Sequence, residues 1–267
     1  NATRGNWLQA EFHAQAAIKL AATDGFIRVL HATLRASQGR VNEAMAEGYA
    51  AYELAPANPV VVADVAHIYS IGGRDSAALK YASLATDLGY PRNDALLASV
   101  YSRAALHQGA FADAASERLK VLDATDPQEV NKAEVTKLIF AALANANLRA
   151  SALQSRVRIY PESQQSGNSQ RTLKNAGPCL DSSVLYALLG TFDEAYALSG
   201  YCMEARVAAG AISDQLVASS FFAPELRQFR RDPRFQAFAT RQGLMDYWQQ
   251  YGPPDDCELK NGKLNCH

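Results

Sequence analysis

A glycine with an alanine five positions later recurs along this chain and constrains what it can fold into. The pairs are Gly5 and Ala10, Gly39 and Ala44, Gly73 and Ala78, Gly109 and Ala114, and Gly190 and Ala195. Asn145 and Ala150 fill the same slot between the fourth and fifth, asparagine being tolerant of the left-handed backbone. The alanines advance by 34, 34, 36, 36 and 45 residues. Seven positions beyond each stands a second small or medium apolar residue: Ala17, Ala51, Ala85, Val121, Val157 and Cys202. Prolines follow at Pro56, Pro91, Pro127 and Pro161. Such a period is the mark of a helix–turn–helix repeat. The glycine ends the first helix in a left-handed turn. The alanine lets the second helix cross the first closely, and its partner two turns on shares that face. The proline then breaks the hydrogen-bond ladder of the second helix.

Read this way, the chain is all-α. The helix pairs are Phe26 to Gln38 with Val41 to Leu54, Val60 to Ile71 with Asp75 to Leu88, and Asp94 to Gln108 with Phe111 to Asp123. A weaker pair follows, Glu129 to Ala144 with Asn147 to Ile159, and the last is Asp181 to Leu189 with Phe192 to Val207. Asn6 to Ala22 reads as a lone second helix, with Trp7, Phe12, Ile18 and Leu20 at its apolar positions. A stack cut there leaves an apolar face for an upstream segment, another domain or a second copy to cover. Residues 161–178 are polar and interrupt the array as an insertion loop, which accounts for the single long step. The expected division is a repeat array over 1–207 and a capping region over 208–267.

Charge narrows the function classes. The net charge of −1 argues against general nucleic-acid or membrane-surface binding. The longest apolar run, Leu138 to Ala144, is far too short to span a bilayer. The chain starts at Asn1 without a signal peptide, and we expect an excised part of a longer protein or a processed one. No His-Glu-x-x-His helix, Gly-x-Ser-x-Gly elbow or phosphate-binding glycine loop is present, so no catalytic residue, metal or cofactor is expected.

Four cysteines remain: Cys179, Cys202, Cys257 and Cys266. Asn261-Gly262 is the strongest two-residue hairpin signal. Folding the tail about it pairs Lys260 with Lys263, Leu259 with Leu264, Glu258 with Asn265 and Cys257 with Cys266. The cysteines then form a non-hydrogen-bonded pair, where Cα atoms approach most closely and a disulfide fits. A zinc site using His267 is the rival, but the spacing matches no common zinc module. Cys179 and Cys202 fall at neighbouring ends of the last helix pair, which also suits a bridge. The alternative for Cys202 is a buried small apolar residue, since its slot is alanine or valine elsewhere. Bridges at both places imply an oxidising compartment.

Beyond the repeats, Asp232 and Pro233 open a short helix as N-cap and first residue. Phe235, Phe238 and Leu244 seat it on the last repeat, and Tyr247 and Trp248 close that end. Arg227, Arg230, Arg231 and Arg234 form a basic cluster, read as a solvated face with capping ion pairs or as a contact for an acidic partner or phosphate.

These features resemble the tetratricopeptide repeat family over residues 5–207. Ala66, Tyr69 and Tyr186 stand at its usual packing positions. The resemblance implies a right-handed α-α superhelix whose concave face is lined by the first helix of each pair. It places Thr33, Ser37, His67, Ser70, Arg103 and His107 on that groove, where they would hold an extended acidic or polar peptide or simply face solvent. The lysine and asparagine pattern by which some members clamp a C-terminal carboxylate is absent. A second resemblance covers Phe222 to Cys257, with Asp-Pro-Arg-Phe, Gly-Leu-Met-Asp-Tyr-Trp and Gly-Pro-Pro-Asp-Asp-Cys. It is similar to the C-terminal end of bacterial multidomain regulators, in which such an array follows a winged-helix domain, often with a transmembrane helix, or a nucleotide-cyclase domain. The two together imply a protein-interaction or sensory module with a protein or peptide partner. Its location would be periplasmic or otherwise extracytoplasmic, with a cytoplasmic one as the alternative. A freestanding periplasmic scaffold and a small-molecule-binding domain using the groove are the other readings.

Overall fold

The computed structural model describes residues 6–122, 125, 127–159, 183–208 and 215–267. They are mostly helical, with one small antiparallel β-pair. The chain divides into two compact units, one made of 1–90 with 212–267 and the other of 91–211.

The first unit contains α1 (Trp7–Leu20), α2 (Gly25–Ser37), α3 (Val41–Leu54), α4 (Pro59–Ile71) and α5 (Asp75–Asp87). Its later part contributes α12 (Gln215–Ser220), α13 (Arg227–Arg231), α14 (Arg234–Arg241), α15 (Leu244–Tyr251), β1 (Cys257–Lys260) and β2 (Lys263–Cys266). The second unit holds α6 (Ala95–His107), α7 (Phe111–Leu119), α8 (Pro127–Ala144), α9 (Arg149–Ile159), α10 (residues 183–188) and α11 (Phe192–Ala208).

The helices start where local chemistry places them. Asp24, Asn58 and Asp94 each turn a side-chain oxygen onto amides of the first turn of α2, α4 and α6. Gly39, Gly73, Gly109 and Gly190 then turn the chain with φ of +83°, +67°, +74° and +73°. Helices α2 and α3, α4 and α5, α6 and α7, and α8 and α9 pack pairwise. The crossing alanines Ala44, Ala78, Ala114 and Ala195 are buried, as are Ala51, Ala85 and Cys202 two turns on.

Three details of the repeat reading change. Asn145 is extended rather than left-handed, with φ −139°, and its side chain caps the amide of Asn147. A 3-10 turn over Ala146–Leu148 then delays α9, so Ala150 is exposed and Ala152, two residues later, takes the buried slot. Helix α7 stops at Leu119, which leaves Val121 exposed in a turn. The insertion loop and Cys179 lie outside the described residues.

The capping region also differs from expectation. It was expected on the last repeat, yet it seats on the first helices of the chain. The Trp248 indole N–H donates to the Gln38 carbonyl at 2.8 Å, and that of Trp7 donates to the Gln242 carbonyl at 2.7 Å. Phe221, Phe222, Phe229, Phe235, Phe238 and Trp248 form one aromatic cluster with neighbouring centroids 5.4–6.3 Å apart. Each buried ring contributes roughly 1.5–3 kcal/mol, so the region has a core of its own. The aromatic content of 221–248 was legible in the sequence. The surface that accepts it was not, because that depends on where the chain returns.

The tail hairpin follows its sequence register. Cys257, Glu258, Leu259 and Lys260 pair with Cys266, Asn265, Leu264 and Lys263. Asn261 and Gly262 both have positive φ, 51° and 74°, as a type I′ turn requires. Cys257 and Cys266 are joined by a disulfide across a Cα separation of 3.9 Å.

Candidate functional site

The groove positions on α2 and α4 are buried. Thr33, Ser37, His67 and Ser70 are all within 5% of full burial. Helix α12 packs on α2, and the Ser219 hydroxyl lies 3.2 Å from His67 Nε2. Phe222 and Pro254 press on Gly39, and Pro224 presses on Gly73. The chain's own later segment therefore occupies the surface that the sequence reading left open for a ligand. Two floor hydroxyls are satisfied inside their helix: Thr33 donates to the Val29 carbonyl and Ser37 to the Thr33 carbonyl, each at 3.0 Å. Arg103 and His107 belong to the second unit, where Arg103 is buried and His107 is exposed.

A second polar cluster escaped the sequence reading. Glu11 on α1 and His31 on α2 are buried side by side. His31 Nε2 lies 3.0 Å from Glu11, and its Nδ1 lies 3.0 Å from Glu47 on α3. A carboxylate oxygen only accepts, so both ring nitrogens carry protons and the imidazole is a cation. Burial opposes that charge, but the bonds to Glu11 and Glu47 outweigh it and raise the His31 pKa to about 9. Burial likewise opposes the Glu11 charge, yet bonds from His31 and Gln15, with the charge of Arg35, hold it down at about 2. Arg35 donates to Glu43 at 2.6 Å, Arg40 donates to Glu43, and Arg40 reaches the Tyr247 hydroxyl at 3.5 Å. Burial pushes the Tyr247 phenol up to about 12. The network ties α1, α2, α3 and α15 together through paired charges, whose removal one at a time is costly. Its sequence signal was faint: Glu11 stands one turn after Trp7, on the one stripe of α1 that is buried.

Arg230 is also more than a surface charge. It is buried and donates through Nη1 to the carbonyls of Phe221 and Ala223 at 2.7 and 2.8 Å. Its Nε faces both carboxylate oxygens of Asp256 at 3.1 and 3.0 Å. One guanidinium thus joins the chain after α12 to the root of the hairpin.

What α1 leaves exposed matters for recognition. Leu8, Phe12 and Leu20 are 36%, 66% and 90% exposed. They share one four-residue row with Ala16, so they form a ridge along the helix. Phe26 and Leu30, one turn apart on α2, are also exposed. Of the apolar positions expected to be bare at this end, Trp7 is instead covered by the returning tail.

Among the described residues there is no cluster of His, Cys, Asp and Glu suited to a metal ion, and no helix long and apolar enough to cross a membrane. No family model matches the chain, and no curated protein or solved structure matches it.

Proposed function

We propose that this chain is a protein-interaction and sensory module made of tetratricopeptide-type helix pairs, which wind as a right-handed superhelix. We read it as the extracytoplasmic C-terminal part of a bacterial signalling or transcriptional regulator. The observation that carries the interaction reading is the α1 ridge. A phenylalanine and a leucine at 66% and 90% exposure, on one row of one helix, give a docking partner apolar area to cover. Recognition would follow the helix-in-groove pattern, with anchors one turn apart. The Cys257–Cys266 disulfide supports an oxidising compartment. The run from Phe222 to Cys257 supports the regulator reading, since it resembles the end of that group.

The test is site-specific photo-crosslinking in cells. A benzophenone side chain replaces Phe12, and the same group at exposed Gln249 serves as control. One discrete adduct at position 12, absent at 249 and lost when Leu20→Glu is added, is the expected result. Equal labelling at both positions removes the reading. Alkylation without reductant tests the compartment: Cys257 and Cys266 should resist it until a reductant is added.

A further inference from the structure

We propose that the α1 ridge is the face on which two copies of this chain meet, α1 lying antiparallel on α1 about a two-fold axis at Ala14. The proposal rests on the interaction reading above and names its partner. The repeat itself does not require the ridge. In the same slots of the next two second helices, Leu8 is replaced by Asn42 and Ser76, and Phe12 by Ala46 and Lys80. All four of those residues are exposed. The apolar side chains of α1 at these slots therefore serve something other than packing within the chain.

The row is also self-complementary. Leu8, Phe12, Ala16 and Leu20 follow one another at four-residue steps. Turned end for end about Ala14, the row sets Phe12 over the partner's Ala16 and Leu8 beside the partner's Leu20. A large ring meets a small residue at two equivalent places, as a two-fold interface requires. A parallel pair would set Phe12 against the partner's Phe12 and leave Ala16 against the partner's Ala16. Charge favours the same arrangement. The full charge that α1 exposes is Lys19. The antiparallel pair brings it level with the partner's Gln9, whereas a parallel pair places two lysines together.

Area sets the strength of the contact. Leu8, Phe12 and Leu20, 36%, 66% and 90% exposed, offer on the order of 300 Å² of apolar surface, a whole aromatic side chain being about 200 Å². A standard interface takes about 800 Å² from each partner. The ridge is thus the core of a small interface, and the dimer it forms is weak, with a Kd of roughly 10–100 μM.

Sedimentation velocity of the intact chain, run from about tenfold below that Kd to about tenfold above it, should show monomer passing to dimer. Phe12→Glu should weaken the dimer at least about 30-fold, the loss of a central anchor, with the thermal midpoint of the monomer unchanged because Phe12 is exposed. Chains carrying Gln9→Cys and Lys19→Cys, both altered off the ridge, test the geometry with a short bismaleimide. Position 9 of one copy lies level with position 19 of the other, while like positions stand about 15 Å apart along the helix axis. The mixture should crosslink strongly and either chain alone weakly. Strong crosslinking of each chain alone would overturn the antiparallel pair. A wild-type chain that stays monomeric throughout would overturn the proposal with no variant needed. The interaction reading would survive that result if the adduct at position 12 in cells joined the chain to a different protein.

Discussion

Asp255 caps a helix that lies 213 positions earlier in the chain: its Oδ2 accepts from the Asn42 amide at 2.7 Å. Helix α3 begins at Val41, and its own cap residue, Arg40, supplies no side-chain bond. The missing acceptor comes from the tail and faces the positive end of the helix dipole. Burial raises the Asp255 pKa, and it outweighs the bonds from the α3 amides. Asp255→Ala should therefore lower the stability of the first unit by about 1 kcal/mol, the ordinary worth of a cap. Asp255→Asn keeps an oxygen acceptor, sheds the burial penalty and should stay near the wild type. Urea unfolding followed by tryptophan fluorescence checks both. An alanine variant equal to the asparagine variant would mean the cap contributes nothing.

His31 and Glu11 give stability a defined pH window. His31 is raised from 6.5 to about 9. Its contribution is full below the unfolded value and is lost as pH rises through about 9. Glu11 is lowered from 4.5 to about 2, so its contribution is full above 4.5 and is lost as pH falls through about 2. The urea midpoint should form a plateau between pH 4.5 and 6.5 and decline on both sides. His31→Gln should flatten the alkaline decline while lowering the plateau, since Glu11 then lies buried without its cation. A His31 imidazole titrating near its ordinary value by NMR would refute the arrangement.

Gly39 and Gly109 separate two costs that repeat turns usually combine. Both need a left-handed backbone, with φ +83° and +74°. A methyl on Gly109 meets nothing within 4 Å, whereas one on Gly39 would sit 2.7 Å from the Phe222 ring. Gly109→Ala should cost about 1–2 kcal/mol, the left-handed penalty for an L-residue. Gly39→Ala should add roughly 1–3 kcal/mol of overpacking, because Phe222 and Pro254 must move. Thermal unfolding by circular dichroism compares the two, and equal losses would show that the tail yields freely at Phe222.

Local rules were legible in the sequence wherever neighbours along the chain decide the outcome. The span Val41 to Leu54, the left-handed turns and the hairpin register all depend on residues within one repeat or one turn. The Ala150 slot was misread because a short 3-10 turn after Asn145 delays α9, and spacing alone cannot detect a delay. The groove was misread for another reason. Thr33, Ser37, His67 and Ser70 do sit on α2 and α4, but the segment packed there comes from far along the chain, Ser219 lying 152 positions after His67. Polar residues on a helix look solvent-facing until the chain's return is known. Glu11, His31 and Glu47 were missed likewise, since a buried charge becomes visible only beside its partner.

The hairpin disulfide offers the most direct measure of how much the tail contributes. Closing a loop between Cys257 and Cys266, nine residues apart, stabilises the folded chain by about 2–3 kcal/mol on the chain-entropy model. The strands have other support: the Gln236 side chain donates to the Gly262 carbonyl at 3.0 Å and accepts from the Leu264 amide at 3.1 Å. The hairpin therefore persists when the bond is cut, and the loss falls mainly on the unfolded state, which regains freedom. Cys257→Ser with Cys266→Ser should lower the stability of the first unit by about 2 kcal/mol. Both tryptophans of the chain, Trp7 and Trp248, lie in that unit and are buried, so their fluorescence reports it selectively. An unchanged urea midpoint in the double variant would mean that the hairpin rides on the unit without helping to hold it.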